Sequence, residues 1–122
     1  MPQVVRALRG ATTADADTTE QVASRTIELL TELLAQNDVA VDDLISILFT
    51  ATPDLTSMFP ATAGRELGLG AVPLLCATEI DVAGATPRCI RAMLHLHTSR
   101  SRDELHHVYL HGARGLRDDL PD

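Results

Sequence analysis

The chain has no lysine and no tryptophan, and its only aromatics are one tyrosine and two phenylalanines. All ten cations are therefore arginines, set against seventeen carboxylate side chains for a net charge of −7. An acidic surface so poor in aromatics lacks both the basic stripe and the stacking platforms that nucleic acid requires, which excludes that partner. No apolar run approaches the roughly 18 residues needed to cross a bilayer, so a membrane partner is not expected either. Residues 1–15 lack the apolar core of a signal peptide, and the expected location is the cytoplasm. Cysteine is scarce as well: Cys76 and Cys89 could form one bridge at most, and in a cytosolic chain both are expected to be free thiols. No phosphate-binding loop, nucleophile elbow or dinucleotide fingerprint occurs, and the Gly68–Gly70 stretch is too short to cradle a phosphate.

What is present fits one domain, residues 1–122, large enough for a core but not for a separate ligand-binding domain, so a pocket is more easily built between subunits. The first ten-residue apolar stretch, VVRALRGATT, reads as a strand. Alternation puts Val5, Ala7 and Arg9 on one face and Val4, Arg6 and Leu8 on the other, so that Arg9 ends an apolar face just before a glycine where the chain can turn away. Such an arginine either lies over the sheet rim with its head in water or forms an anion site at a strand end. Asp17 followed by Glu20 looks like a capping box with the aspartate as cap, and Val22, Thr26, Leu29, Leu30 and Leu33 recur at helical spacing. Residues 18–36 are thus expected to be an amphipathic helix ended by Asn37 and Asp38.

Leu44–Ala51 is apolar and rich in β formers, as in a central strand covered on both faces. Pro53 and Pro60 bound a loop, residues 61–68 allow a short helix carrying Arg65, and residues 71–77 read as a third strand near an edge. The strict alternation in CIRAMLHLHT (89–98) favours a strand over a helix, and residues 106–112 read as a last strand. The polar tail from about residue 113 is expected to be mobile. The fold class is therefore mixed α/β (α+β), a mixed sheet of about five strands packed on one long helix.

Among chemistry-bearing residues, His95 and His97 share a strand face, a spacing that can supply two metal ligands, but no third ligand accompanies them and solvent-facing histidines are the simpler account. No metal is expected. A nucleophile pair of Cys76 with a distant histidine lacks anything local to lower the thiol pKa. What remains is Arg9, Cys76, Glu79, Arg91 and Tyr109. Each has an ordinary structural explanation alone; together they offer two cations, one carboxylate and two weak donors, which suits a small anion that also carries a hydroxyl.

Those residues lie in RGATT (9–13), TATPDL (50–55), FPATAGREL (59–67), VPLLCATEIDV (72–82), CIRAM (89–93), HVYL (107–110) and LRDDL (116–120). In this order and spacing the chain resembles the small monofunctional chorismate mutases of the AroH class over nearly its whole length. The resemblance implies a homotrimer whose three sheets form a pseudo-barrel with active sites between neighbouring subunits. It also implies the cofactor-free Claisen rearrangement of chorismate to prephenate on the way to phenylalanine and tyrosine. It assigns Arg91 to the ether oxygen, Arg9 and Tyr109 to the side-chain carboxylate, and Glu79 and Cys76 to the ring hydroxyl. Phe59 and Leu116 become pocket walls, with Arg65 and Arg117 strengthening the field at the ring carboxylate. Thr62 replaces a lysine frequent in the family, and Leu75 stands in the pocket where a threonine is common, so slower capture or weaker binding is expected. The competing readings are a non-catalytic binding module for a small carboxylate and a metal-dependent enzyme using His95 and His97.

Overall fold

In the computed structural model the described residues run from 2 to 117, the side chain of Arg117 excepted. Strand β1 (Val4–Thr13) pairs antiparallel with β4 (Cys89–Thr98) along its whole length, from Val4 opposite Thr98 to Thr13 opposite Cys89. Arg9 therefore does not end the strand, as the arginine–glycine pair led us to expect. Gly10 does not turn the chain; it is a point of close approach. A Cβ there would sit 2.9 Å from the Val108 carbonyl oxygen and 3.0 Å from methyl carbons of both Leu29 and Leu33.

Helix α1 (Thr19–Gln36) buries Val22, Thr26, Leu29, Leu30 and Leu33, the stripe expected from the periodicity. Its cap is Thr18, whose hydroxyl accepts from the Gln21 N–H at 3.2 Å. Asp17, one residue too early for that extended cap position, is freed for another contact described below. Asn37 closes the other end, and Asp38 follows in the left-handed region at φ 51°.

Strand β2 (Leu44–Ala51) lies between β4, antiparallel, and the edge strand β3 (Leu74–Thr78), parallel, while β1 pairs in parallel with β5 (Val108–Tyr109) at the far edge. The spatial order is β3-β2-β4-β1-β5. β2 is interior to this sheet but, contrary to expectation, it is covered on one face only: Ile47 and Phe49 are buried, whereas Leu48 between them is 37% exposed. The third strand starts at Leu74, after Pro73, because a proline cannot donate to the ladder. β4 keeps Ile90, Ala92, Leu94 and Leu96 buried at alternate positions, as its pattern predicts.

The last strand is much shorter than the expected seven residues. His111, at φ 52°, leaves the extended region and opens a 3-10 turn over 111–117, in which Ala113 is buried against Ala11, Cys89 and Tyr109. The expectation of mobility from about residue 113 thus falls partly on this packed turn and partly outside the described residues. A short helix, α2 (Pro60–Gly64), continues into a wider π turn through Leu69, with Gly68 at φ 98°.

One face of the sheet meets α1 and α2 and holds the core, where Leu8, Phe49, Leu94 and Leu96 pack on Leu29, Leu30 and Leu33. Alternation and register put Val5, Ala7 and Arg9, Leu48 and Thr50, Leu75, and Arg91, Met93 and His95 on the opposite face. The described residues cover that face only at its corner, where the 111–117 turn lies on Ala11 and Cys89. Replacing Gly10 by alanine forces the backbone oxygen of β5 or two core leucines to move. We expect G10A to lose about 1–3 kcal/mol of stability, read from urea unfolding midpoints at unchanged slope.

Candidate active site

On the open face, register sets Arg91 of β4 beside Thr50 of β2 and Ala11 of β1. Glu79, just beyond β3, is fixed by its own N–H, which donates to the Ala51 carbonyl at 2.9 Å. Its Oε2 accepts from the Thr50 hydroxyl at 2.6 Å and lies 3.0 Å from Arg91 Nε. The Arg91 N–H is not directed along that line. Nε is buried and makes no hydrogen bond among the described residues, so the pair is held by charge rather than by an aligned bond. The Arg91 side chain nonetheless remains 41% exposed, enough for an anion to reach it.

Arg9 completes the cationic side. Its Nε donates to the Tyr109 hydroxyl at 2.7 Å, while its terminal nitrogens make no hydrogen bond among the described residues. Tyr109 is buried with Ala11, Cys89 and Ala113, and Leu116 packs on the same cluster. Arg9 and Arg91 together line a shallow cavity of about 230 Å³, floored by Leu48, Thr50 and Met93. Burial pushes the Cys89 thiol up to about 11 against the opposing charge of Arg91, so this cysteine stays protonated and takes no part as a nucleophile.

Cys76 is not in this group. Strand alternation turns it toward the helix side, opposite Phe49, and sends its neighbour Leu75 to the open face beside Leu48. With Phe59, which is 70% exposed, Cys76 instead lines a second groove of about 340 Å³ formed with Thr56, Ser57 and Pro60. Of the sequence-derived candidates, then, Arg9, Glu79, Arg91, Tyr109 and Leu116 gather on one side, and Cys76 and Phe59 on another. Arg65 is exposed at the end of α2 and lines neither cavity, and the side chain of Arg117 lies outside the described residues. His95 and His97 belong to no cluster of three potential ligands among the described residues.

Two residues that the sequence did not assign to the site support these groups. Thr50 orients Glu79, and only its place inside TATPDL hinted at a role. Asp17 reaches from the start of α1 to the second groove, where its carboxylate accepts from the Thr56 N–H at 3.1 Å, the Thr56 hydroxyl at 2.8 Å and the Ser57 N–H at 3.0 Å. These bonds, the Thr56 hydroxyl first, hold its pKa below the ordinary aspartate value of 3.8.

Comparison with known proteins matches residues 5–120 to the family model for chorismate mutase type I. The chain is 42% identical to the chorismate mutase AroH of Bacillus subtilis over 118 residues, 96% of this chain and 93% of that protein. It is 44% identical to the chorismate mutase AroH of Thermus thermophilus, again over 118 residues, 96% of this chain and 97% of the relative. A solved chorismate mutase from Clostridium thermocellum superposes with a TM-score of 0.88 at 43% identity, covering 90% of this chain and 98% of that one.

Because the Asp17 pKa is lower in the folded chain than in the unfolded one, its contribution to stability is present above the unfolded value and disappears as pH falls through the folded one. D17N should lower the thermal midpoint at neutral pH, and the gap from wild type should narrow on acidification. Melting curves across the acid range check this, and a gap that stays constant with pH would show that charge is not what holds the 56–57 loop.

Proposed function

The chain belongs to the type I chorismate mutase family, and on that footing we propose that it converts chorismate to prephenate, a step toward phenylalanine and tyrosine, by a Claisen rearrangement. The observation that carries this reading is the Arg91 guanidinium, held beside Glu79 yet open to an anion, with Arg9 sharing its cavity.

A pericyclic rearrangement needs neither a nucleophile nor proton transfer, so the residues have two ways to act. They can hold the flexible substrate compact, with the bond-forming carbons close, which removes entropy otherwise lost at the barrier. They can also place fixed donors where charge grows. As the ether bond lengthens its oxygen becomes negative, and a guanidinium aimed there binds the transition state more tightly than the ground state. One such donor is worth about 3–4 kcal/mol, a few hundredfold in rate. Arg91 takes this role. Arg9, whose terminal nitrogens make no hydrogen bond among the described residues and whose Nε is steadied by Tyr109, takes the side-chain carboxylate. Glu79 orients Arg91 and, with Cys76 from the groove of a neighbouring copy, meets the ring hydroxyl. Phe59, Leu75 and Leu116 supply walls, and Arg65 and Arg117 add positive field. No step calls for a cofactor.

In one chain the cationic cavity and the Phe59–Cys76 groove are separate, and neither encloses a ligand of this size. Val5, Leu48, Leu75 and Phe59 are also left exposed. These facts support a homotrimer in which the groove of one copy closes over the arginines of the next. Two free thiols fit a reducing cytoplasm, which the reading includes. Chorismate is a dianion and the chain carries −7, so capture depends on local arginine fields, with Thr62 adding none.

The direct test is the loss of chorismate absorbance on adding the purified protein, with slower capture as salt is raised. R91A and R91K should each lower kcat by roughly two orders of magnitude or more while the melting curve survives, because lysine keeps the charge but loses the planar fork. Near-normal kcat in either variant removes Arg91 from the mechanism. Mass measurement in solution should give three copies, and a monomer with full activity would overturn the shared site.

A further inference from the structure

The N–H of Arg9 faces the edge of β1, where a strand partner would normally accept it. β5 is too short to do so, since it pairs only Val108 with Gly10 and Tyr109 with Ala11. The acceptor is a side chain: Arg9 N–H donates to Nδ1 of His107 at 3.0 Å. An imidazole nitrogen that accepts must be unprotonated, so the ring is neutral and carries its hydrogen on Nε2.

The backbone that presents His107 is itself pinned. Asn37, buried at the end of α1, accepts from the His106 N–H at 2.7 Å through its side-chain oxygen. It returns a hydrogen bond to the His106 carbonyl at 2.9 Å and donates to the Leu33 carbonyl at 2.8 Å. A continuous set of hydrogen bonds thus runs from the helix end through His106 and His107 to the backbone of Arg9, and Arg9 continues it to Tyr109. The other side of the ring faces a groove of about 280 Å³ lined by Arg6, Arg102, Leu105, Val5 and Ala7, with no carboxylate among the described residues of its lining.

We propose that His107 is a positioning residue for Arg9: its Nδ1 lone pair sets the backbone from which the guanidinium reaches Tyr109 and the substrate carboxylate, and protonating the ring releases that hold. The inference rests on the reading of Arg9 as a carboxylate ligand. Protonation turns Nδ1 from acceptor to donor, facing another donor, and adds a cation beside Arg9, Arg6 and Arg102. Burial, then the charge of Arg9, accordingly lowers the His107 pKa below the ordinary 6.5. With the neutral form favoured by folding, the hold is intact at neutral pH and is lost as pH falls through the folded-state pKa.

The test compares His107→Ala and His107→Asn with wild type. Asparagine places an oxygen where Nδ1 stood but does not titrate. H107A should raise KM about five- to tenfold, the loss of one hydrogen bond, with kcat little changed. H107N should recover most of that KM and lack the acid-side inflection that His107 gives wild-type kcat/KM. Wild-type KM in H107A, or an inflection unmoved in H107N, overturns the proposal. Nitrogen NMR of the wild-type imidazoles reads the ring without turnover: His107 Nδ1 should be unprotonated at neutral pH, and a protonated Nδ1 also overturns it. If wild type fails to turn over chorismate, the functional reading falls while the NMR result still decides the His107–Arg9 contact.

Discussion

A cation on an open sheet face has no packing to aim it, and the site depends on solving that problem at Arg91. Glu79 does so from beyond the end of β3, with one carboxylate oxygen shared between the Thr50 hydroxyl and the guanidinium. An ion pair this exposed contributes about 0–1 kcal/mol to folding, too little to account for the arrangement as a device for stability. Its value lies in direction: it limits the orientations of a long side chain that would otherwise sweep through water. Arg9 meets the same need differently, through a phenol on one side and a histidine-held backbone on the other.

The paired arrangement follows from the sheet. β4, at the centre, carries Arg91; β1, its neighbour, carries Arg9; and β3, two strands away, delivers Glu79 from its end. The helices lie on the other face, where the core leaves no room for charge. The polar chemistry is therefore built on the side that this chain leaves uncovered, and the proposed assembly covers it with residues such as Phe59 that are exposed in a single copy.

Residues that announce themselves by periodicity were legible in the sequence. The leucine stripe of α1 and the alternation in β4 each report one buried face, and the family motifs supplied the candidate residues. What escaped was set by contacts distant in sequence. Nothing near Asp17 reveals that its acceptors would be used 39 residues away, and Thr18 could claim the cap only because the backbone there is extended. The alternation in 106–112 continued past the point where His111 turned out of the sheet. Cys76 suits the arginines by chemical type, but alternation along β3 places it on the opposite face of its own chain. Arg9 misled in another way: a glycine after a charged residue reads as a turn, and here it relieved crowding by α1 and β5.

The Arg9–Tyr109 bond joins positions 100 residues apart in the chain. Loop closure over such a span is slow and is favoured only once the intervening sheet exists to hold the ends together. During synthesis the first strand must wait for the hundred residues that separate it from Tyr109 before its arginine finds the phenol. A nascent chain consequently lacks the proposed carboxylate grip until β5 emerges and the edge of the sheet is in place.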